Sequence, residues 1–295
     1  MAKTKLATIQ MNSSDEIDSN LEQAEHWIKL ACEQEAKLVA LPENFAYMGR
    51  ESEKIQQLHS IQNKTQDFLS RIAKEYKIYL LGGGYPSLSP DSNRAYNTAS
   101  IYSPDGTEVF HYNKIHLFDT NPGDGIQYTE SKTVFPGAVV PTPIEVYGFG
   151  RIASIICYDL RFPELFRKIS EQKVNIIFVP SAFTELTGKA HWEVLLRARA
   201  IENFVYIVAP AQTGTHTIKE NSSDAAEKSI SQTPTSTNKT PSLKKTFGHS
   251  LVVSPWGEIL SDGGEQVGYS ILEIDTNDVD IYRKKIPSLS HRTLF

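Results

Sequence analysis

Cysteine is almost absent from this chain: Cys32 and Cys157 are its only two among 295 residues, far apart and outside any C-x-x-C pair. That argues against a disulfide framework and a thiolate zinc site, and it suits a reducing compartment where a free thiol can act as a reagent. No apolar run approaches the roughly 18 residues needed to span a bilayer. The first residues, Met1 to Leu6, carry lysines with no long apolar stretch behind them. A soluble, cytoplasmic protein with no membrane partner is therefore expected. Positive charge is lacking as well. The formal net charge is −5, and the densest basic cluster, Arg283-Lys284-Lys285, reads as a solvated face, so nucleic acid is not an expected partner. No His/Asp/Glu spacing suggests a metal. Gly82-Gly83-Gly84 lacks the G-x-G-x-x-G pattern of a phosphate cradle, so neither metal nor cofactor is expected.

What is present is an ordinary globular composition, 40% apolar and 22% charged, with no internal repeat and enough length for one large core or two modest ones. Leu21, Ala24, Ile28 and Ala31 recur at helical spacing behind Asn20, a reasonable N-cap. Further helices are expected near Thr65 to Lys77, Pro163 to Glu171 and Ala190 to Asn203. Buried-strand runs occupy Leu38 to Leu41, Ile78 to Leu81, Ile152 to Ile156, Ile176 to Val179 and Tyr269 to Ile274. The triplet Gly82-Gly83-Gly84 reads as a turn, and Tyr96 to Tyr112 as a hairpin around Pro104-Asp105-Gly106. Helices alternating with strands and interleaved hairpins predict an α/β protein with mixed sheets and helices outside. One stretch differs in kind. Residues 217–245 are rich in Ser, Thr, Asn and Lys, and cannot bury enough surface to offset their ordering entropy. A mobile insertion is expected there, either a passive surface loop or a lid.

Three residues could carry chemistry. Cys157 ends a buried strand at a polar turn, where a nucleophile projects and backbone N–H groups can face a bound carbonyl. A cysteine in that position can equally be inert packing. Glu43, after the strand Leu38 to Leu41, can face a cleft or serve only as a helix cap or surface ion pair. Lys114, among Tyr112, Ile115, Leu117 and Phe118, is either buried against an anion or reaches out to solvent. Together they satisfy one demand. Amide cleavage needs a thiolate, a base to generate it and a cation to favour it. Glu43 would take the thiol proton, and Lys114 would hold that carboxylate and donate to the oxyanion beside the Tyr158 backbone N–H.

The segments Leu41-Pro42-Glu43-Asn44, Lys114-Ile115-His116-Leu117-Phe118-Asp119 and Cys157-Tyr158-Asp159-Leu160-Arg161-Phe162-Pro163-Glu164-Leu165 resemble, in order, the three signatures of the nitrilase superfamily of carbon–nitrogen hydrolases. The resemblance implies a single domain over 1–295, a four-layer αββα sandwich and a Glu43–Lys114–Cys157 triad. The family often has a second active-site glutamate, and Tyr128-Thr129-Glu130-Ser131 with Phe135-Pro136-Gly137 places it at Glu130. Tyr158-Asp159 after the cysteine is similar to the amidase branches and not to true nitrilases.

Arg161-Phe162-Pro163, Gly188 to Glu193 and Leu195 to Glu202 resemble the Nit subgroup, which contains deaminated glutathione amidases and omega-amidases. The wording is nearer the former, with alpha-ketoglutaramate hydrolysis as the alternative. Both substrates carry a carboxylate, so Arg161 is a candidate partner for it, against a structural salt bridge to Glu164 or Asp159. Phe183 and Thr184 are candidate pocket residues. The resemblance further implies a homodimer or larger homo-oligomer. Helices after Cys157 and at Ala190 to Asn203 would form its interface, with the tail 278–295 reaching across through Tyr282, Ile286, Leu289 and Leu294. Competing readings are acyl transfer to an amine, a non-catalytic scaffold, and a papain-like pairing of Cys157 with His191 or His249. Both histidines read better as structural.

Overall fold

The Val-, Ile- and Leu-rich runs gather into two six-stranded sheets with helices on their outer faces. The computed structural model describes residues 4–216 and 244–293. The first sheet comprises β1 (Thr4–Gln10), β2 (Leu38–Ala40), β3 (Tyr79–Ser87), β4 (Tyr96–Tyr102), β5 (Glu108–Asn113) and β14 (Gly268–Ile274), in the order β14-β1-β2-β3-β4-β5. The second comprises β6 (Ile144–Val146), β7 (Gly150–Ser154), β8 (Ile176–Phe178), β9 (Tyr206–Ala209), β12 (Leu251–Val253) and β13 (Ile259–Asp262), in the order β13-β12-β9-β8-β7-β6. Strands β1 to β3 run parallel, as do β7 to β9, and the flanking pairs are antiparallel. A short antiparallel pair, β10 (Thr213–Thr215) and β11 (Lys245–Phe247), lies outside both sheets.

Period-two alternation decides which side each residue serves. Leu6, Leu38 and Ala40 turn into the core shared with Ile152, Ile176 and Val208 of the second sheet. Their neighbours Ala7, Ile9, Val39 and Leu41 turn the other way, onto Ile28 of α1 (Ile17–Glu33) and Leu69 and Ile72 of α3 (Leu58–Tyr76). On the second sheet, Phe166 of α4 (Pro163–Ser170) and Trp192 and Leu196 of α5 (Glu185–Asn203) complete the same core. The result is the expected four-layer αββα sandwich. Two short helices, α2 (Glu51–Gln56) and α6 (Asn277–Lys285), finish the described chain. None of the described helices is long and apolar enough to cross a membrane.

Local expectations differ from the structure in three places. Asn20 is not an N-cap. Helix α1 begins at Ile17, and Asn20 is buried inside it, accepting from Ser14 N at 2.9 Å and donating to the Ser14 and Ala46 carbonyls at 2.8 and 3.0 Å. Helices α3 and α5 start seven and five residues before the expected Thr65 and Ala190. In α5, Thr184 caps the end by accepting from Thr187 N, so His191 lies within the helix and does not begin it. The glycine triplet is not a turn, because β3 continues through it, with a shift of register against β4 between Gly82 and Tyr85. A Cβ at Gly83 would stand 1.8 Å from the Leu41 carbonyl oxygen and 2.5 Å from Pro180 Cβ. The glycines are there so that the chain can pass close to its neighbours. The insertion expected at 217–245 lies outside the described residues apart from Lys244 and Lys245, and so does Leu294.

Gly83→Ala should therefore destabilise the fold by about 1–3 kcal/mol or more, because the opposing backbone carbonyl has little room to retreat. Urea unfolding should show a lowered midpoint with an unchanged slope. An unchanged midpoint would mean that the close passage of β3 carries no packing constraint.

Candidate active site

Three chain segments deliver their polar residues to one end of the sandwich. Glu43 follows β2, Lys114 follows β5 directly, and Cys157 follows β7. With β2 and β7 in the parallel cores of their sheets and β5 parallel to β3 through two antiparallel pairings, all three leave at carboxyl ends of their strands, the edge where open α/β sheets present ligand sites. They line a cavity of about 260 Å³ together with Glu130, Tyr158, Phe183 and Thr184. That volume admits a small linear molecule and not a folded polypeptide.

Cys157 has a left-handed backbone, with φ of +46°, which a non-glycine residue adopts only when its surroundings hold it there. Its N–H donates to the Pro180 carbonyl at 2.9 Å. The buried Asp159 carboxylate fixes the turn by accepting from Ile156 N at 3.0 Å, Tyr112 Oη at 2.8 Å and His116 N at 3.0 Å. The His116 ring, whose Nδ1 lies 2.7 Å from the same carboxylate, stacks on Phe162 at 3.6 Å. The turn at Cys157 is thus tied to the segment that carries Lys114.

Glu43 is 3% exposed, so each of its oxygens needs partners. Oε1 accepts from Lys114 Nζ at 3.0 Å and Asn97 Nδ2 at 2.9 Å, and Oε2 accepts from Ala182 N at 2.9 Å. Room for this comes from Gly84, φ +148°, where a Cβ would approach Glu43 Cγ to 3.1 Å. Lys114, 2% exposed, also donates to both Glu130 oxygens at 2.8 and 3.0 Å, and Glu130 is held in turn by the Phe118 N–H at 2.6 Å. Burial alone would depress the lysine, but Glu130 and Glu43 outweigh it and hold the ammonium well above the ordinary lysine range. Cys157 behaves differently. Burial and then Glu43 push its thiol well above the ordinary range, against the pull of Lys114 and the Ala182 N–H. A raised thiol is consistent with the expectation that a base must remove its proton. The structure holds a thiol with a carboxylate within hydrogen-bonding reach.

Arg161, the candidate carboxylate partner, does not line the cavity. Its guanidinium lies 3.3 and 3.4 Å from His191 Nδ1 and over the Tyr158 and Phe183 rings, not against Glu164 or Asp159. Neither His191 nor His249 reaches the cavity, and His249 pairs with Asp262 at 3.0 Å. Sequence reasoning missed Asn97 and the Ala182 N–H, which complete the shell around Glu43. It also missed Glu51, Lys54 and Lys244, which line the same cavity. Asn97 lies in a strand whose neighbours alternate normally, and a backbone N–H has no sequence signature. No group of described residues could hold a metal ion.

The family profile described as carbon-nitrogen hydrolase matches residues 5–284. A deaminated glutathione amidase from Synechocystis sp. is 42% identical over 287 residues, covering 97% of each chain. An omega-amidase from Xenopus tropicalis is 36% identical over 296 residues, covering 97% of this chain and 94% of its own. Among solved structures, the Caenorhabditis elegans NitFhit protein superposes with a TM-score of 0.86 at 34% identity, covering 99% of this chain. This chain spans 66% of that longer structure.

The charges around Cys157 predict a pH experiment. Its alkylation by iodoacetamide should rise with a midpoint well above the ordinary thiol range. Glu43→Gln removes an anion that disfavours the thiolate while leaving Lys114, so the midpoint should move down as amide turnover collapses. A midpoint that stays in place, or moves up, would contradict this electrostatic assignment.

Proposed function

Because the chain belongs to the carbon–nitrogen hydrolase family, we propose that it hydrolyses a small linear amide through a thioester on Cys157. The observation that carries this reading is the buried Lys114 ammonium hydrogen-bonded between Glu43 and Glu130 beside that thiol. Glu43 takes the thiol proton as sulfur attacks the amide carbonyl. Lys114 has three N–H protons. One is given to Glu43, one is shared between the two Glu130 oxygens, and the third is left for the oxyanion, alongside the Tyr158 N–H. Collapse breaks the C–N bond, and Glu43 returns its proton to the departing amine. Water, deprotonated by Glu43, then attacks the thioester. Collapse releases the carboxylic acid, and the sulfur regains its proton. Glu130 acts as a positioning residue, fixing Lys114 and its charge. The same acyl-enzyme could pass to an amine, but the small cavity at the end of the sandwich suits water as acceptor.

Deaminated glutathione is the substrate the likeness to the Synechocystis protein favours, cleaved to 2-oxoglutarate and cysteinylglycine in metabolite repair. Alpha-ketoglutaramate is the alternative, from the likeness to the omega-amidase. Both cysteines are free, in keeping with a reducing, cytoplasmic setting. A homo-oligomer is favoured by the exposed apolar side chains Val194 and Ile201 on α5 and the adjoining Trp256. The tail contributes Tyr282, stacked on Trp256 at 4.9 Å, and the exposed Ile286.

Wild type should release 2-oxoglutarate from deaminated glutathione faster than from alpha-ketoglutaramate, and Cys157→Ala should lose about 10⁴-fold or more on both. The reverse preference would assign the omega-amidase reaction, and activity surviving in Cys157→Ala would overturn the mechanism. Val194→Glu should shift sedimentation towards a monomer, whereas an unchanged sedimentation coefficient would remove α5 from any interface.

A further inference from the structure

Two loops outside the cavity meet at the backbone of Glu43. Ser13 lies just past the end of β1 in the first sheet, and Gln212 lies between β9 of the second sheet and β10. Met11 and Gln212 pair as a parallel bridge. Met11 N donates to the Ala211 carbonyl at 3.3 Å and Thr213 N to the Met11 carbonyl at 2.8 Å, so backbone joins the two sheets here. Ser13 and Gln212 are both completely buried, and their polar side-chain groups need partners.

They find them in each other and in the loop that carries Glu43. Ser13 N donates to Gln212 Oε1 at 3.0 Å, and Gln212 Nε2 donates to Ser13 Oγ at 2.8 Å. The remaining protons point outward. Gln212 Nε2 also donates to the Glu43 carbonyl at 3.1 Å, and Ser13 Oγ donates to the Phe45 carbonyl at 3.1 Å. Those two carbonyls flank Asn44, whose φ of +60° is left-handed and whose N–H donates to the Gly84 carbonyl at 2.7 Å. A left-handed bend held on both flanks cannot relax towards a commoner backbone, so the origin of the Glu43 side chain is fixed. Gln212 reaches the same carboxylate by a second route. Its own N–H donates to the Ser181 carbonyl at 2.9 Å, beside the Ala182 N–H that binds Glu43 Oε2.

His216, just past β10, closes the joint from behind. The Ser13 carbonyl can only accept, so His216 Nδ1 donates to it at 2.8 Å, and Nε2 accepts from Thr246 Oγ1 of β11 at 2.7 Å. Burial, helped by Lys244, pushes the imidazolium below the ordinary histidine range against the pull of the Ser13 carbonyl, which favours the neutral ring this arrangement needs.

Resting on the amidase reading, we propose that Gln212 and Ser13 are positioning residues for Glu43. They hold the backbone from which its carboxylate reaches Cys157, and neither lines the cavity. The placement of the base is thereby set at the seam between the two sheets as well as by the partners of the carboxylate itself.

The test follows the pH midpoint of Cys157 alkylation by iodoacetamide, which needs no turnover, beside kcat and KM for deaminated glutathione. Gln212→Met keeps the side chain's length and gives up its hydrogen bonds. The midpoint should move down, in the direction set by Glu43→Gln, because the carboxylate opposing the thiolate is no longer held against it. The kcat should fall about ten- to a hundredfold while KM stays within about threefold. Added to Glu43→Gln, Gln212→Met should move the midpoint no further. Ser13→Ala, which removes one hydroxyl, should act in the same direction with a smaller shift, and it decides the matter if Gln212→Met does not fold. An unmoved midpoint in the folded variants, or a further shift on top of Glu43→Gln, would overturn the inference. If wild type hydrolyses no amide while the midpoint still moves in these variants, the positioning role stands and the amidase reading falls.

Discussion

A lysine ammonium taken out of water is the constraint around which this site is organised. Lys114 is all but inaccessible, and an unpaired charge at that depth would cost several kcal/mol, enough to threaten a fold of ordinary stability. Its charge is met by two carboxylates from different parts of the chain, and each carboxylate brings its own partners. Glu43 is completed by Asn97 and the Ala182 N–H, and Glu130 by the Phe118 N–H. One buried cation therefore enforces the meeting of the strand ends after β2, β5 and β8 with the short turn at Glu130.

The two sheets divide the work between them. The first supplies the buried carboxylate of Glu43 and the ammonium of Lys114, and the second supplies the thiol of Cys157 and the backbone donor at Ala182. Neither sheet alone holds the whole cluster, so the packing of one on the other is a condition for assembling it. Asp159 adds a direct tie between the two halves, joining the turn at Cys157 to Tyr112 and His116 on the first sheet's side. A turn held at positive φ needs this kind of external support, since its own backbone preference opposes it.

Much of this was legible in the sequence because the signals are local. Strand runs ending at Pro42 and Cys157, and a lysine flanked by aromatics, mark positions before any contact is known. Glu130 was reached only through family resemblance, since nothing in Thr129-Glu130-Ser131 declares a partner. The misreadings were tertiary in origin. Gly82 to Gly84 has the composition of a turn, yet the close approach of Leu41 and Pro180 explains the glycines inside a strand. Asn20 fits the cap pattern, but Ser14 and the Ala46 carbonyl draw its side chain inward. Arg161 is a different case: its guanidinium lies beside His191 and over the Tyr158 and Phe183 rings, behind the lining and not in it. Lys54 and Lys244 lie 190 positions apart in numbering, and only folding brings both to the same cavity.

The protonated state of Cys157 carries a consequence beyond hydrolysis. Peroxides and adventitious electrophiles consume thiolates, and a thiol held neutral by burial and a neighbouring carboxylate offers them little to react with. On the proposed mechanism, the sulfur becomes nucleophilic when a carbonyl is in place to receive it and Glu43 takes the proton. On that mechanism, shelter from oxidative damage and readiness for attack come from the same pairing.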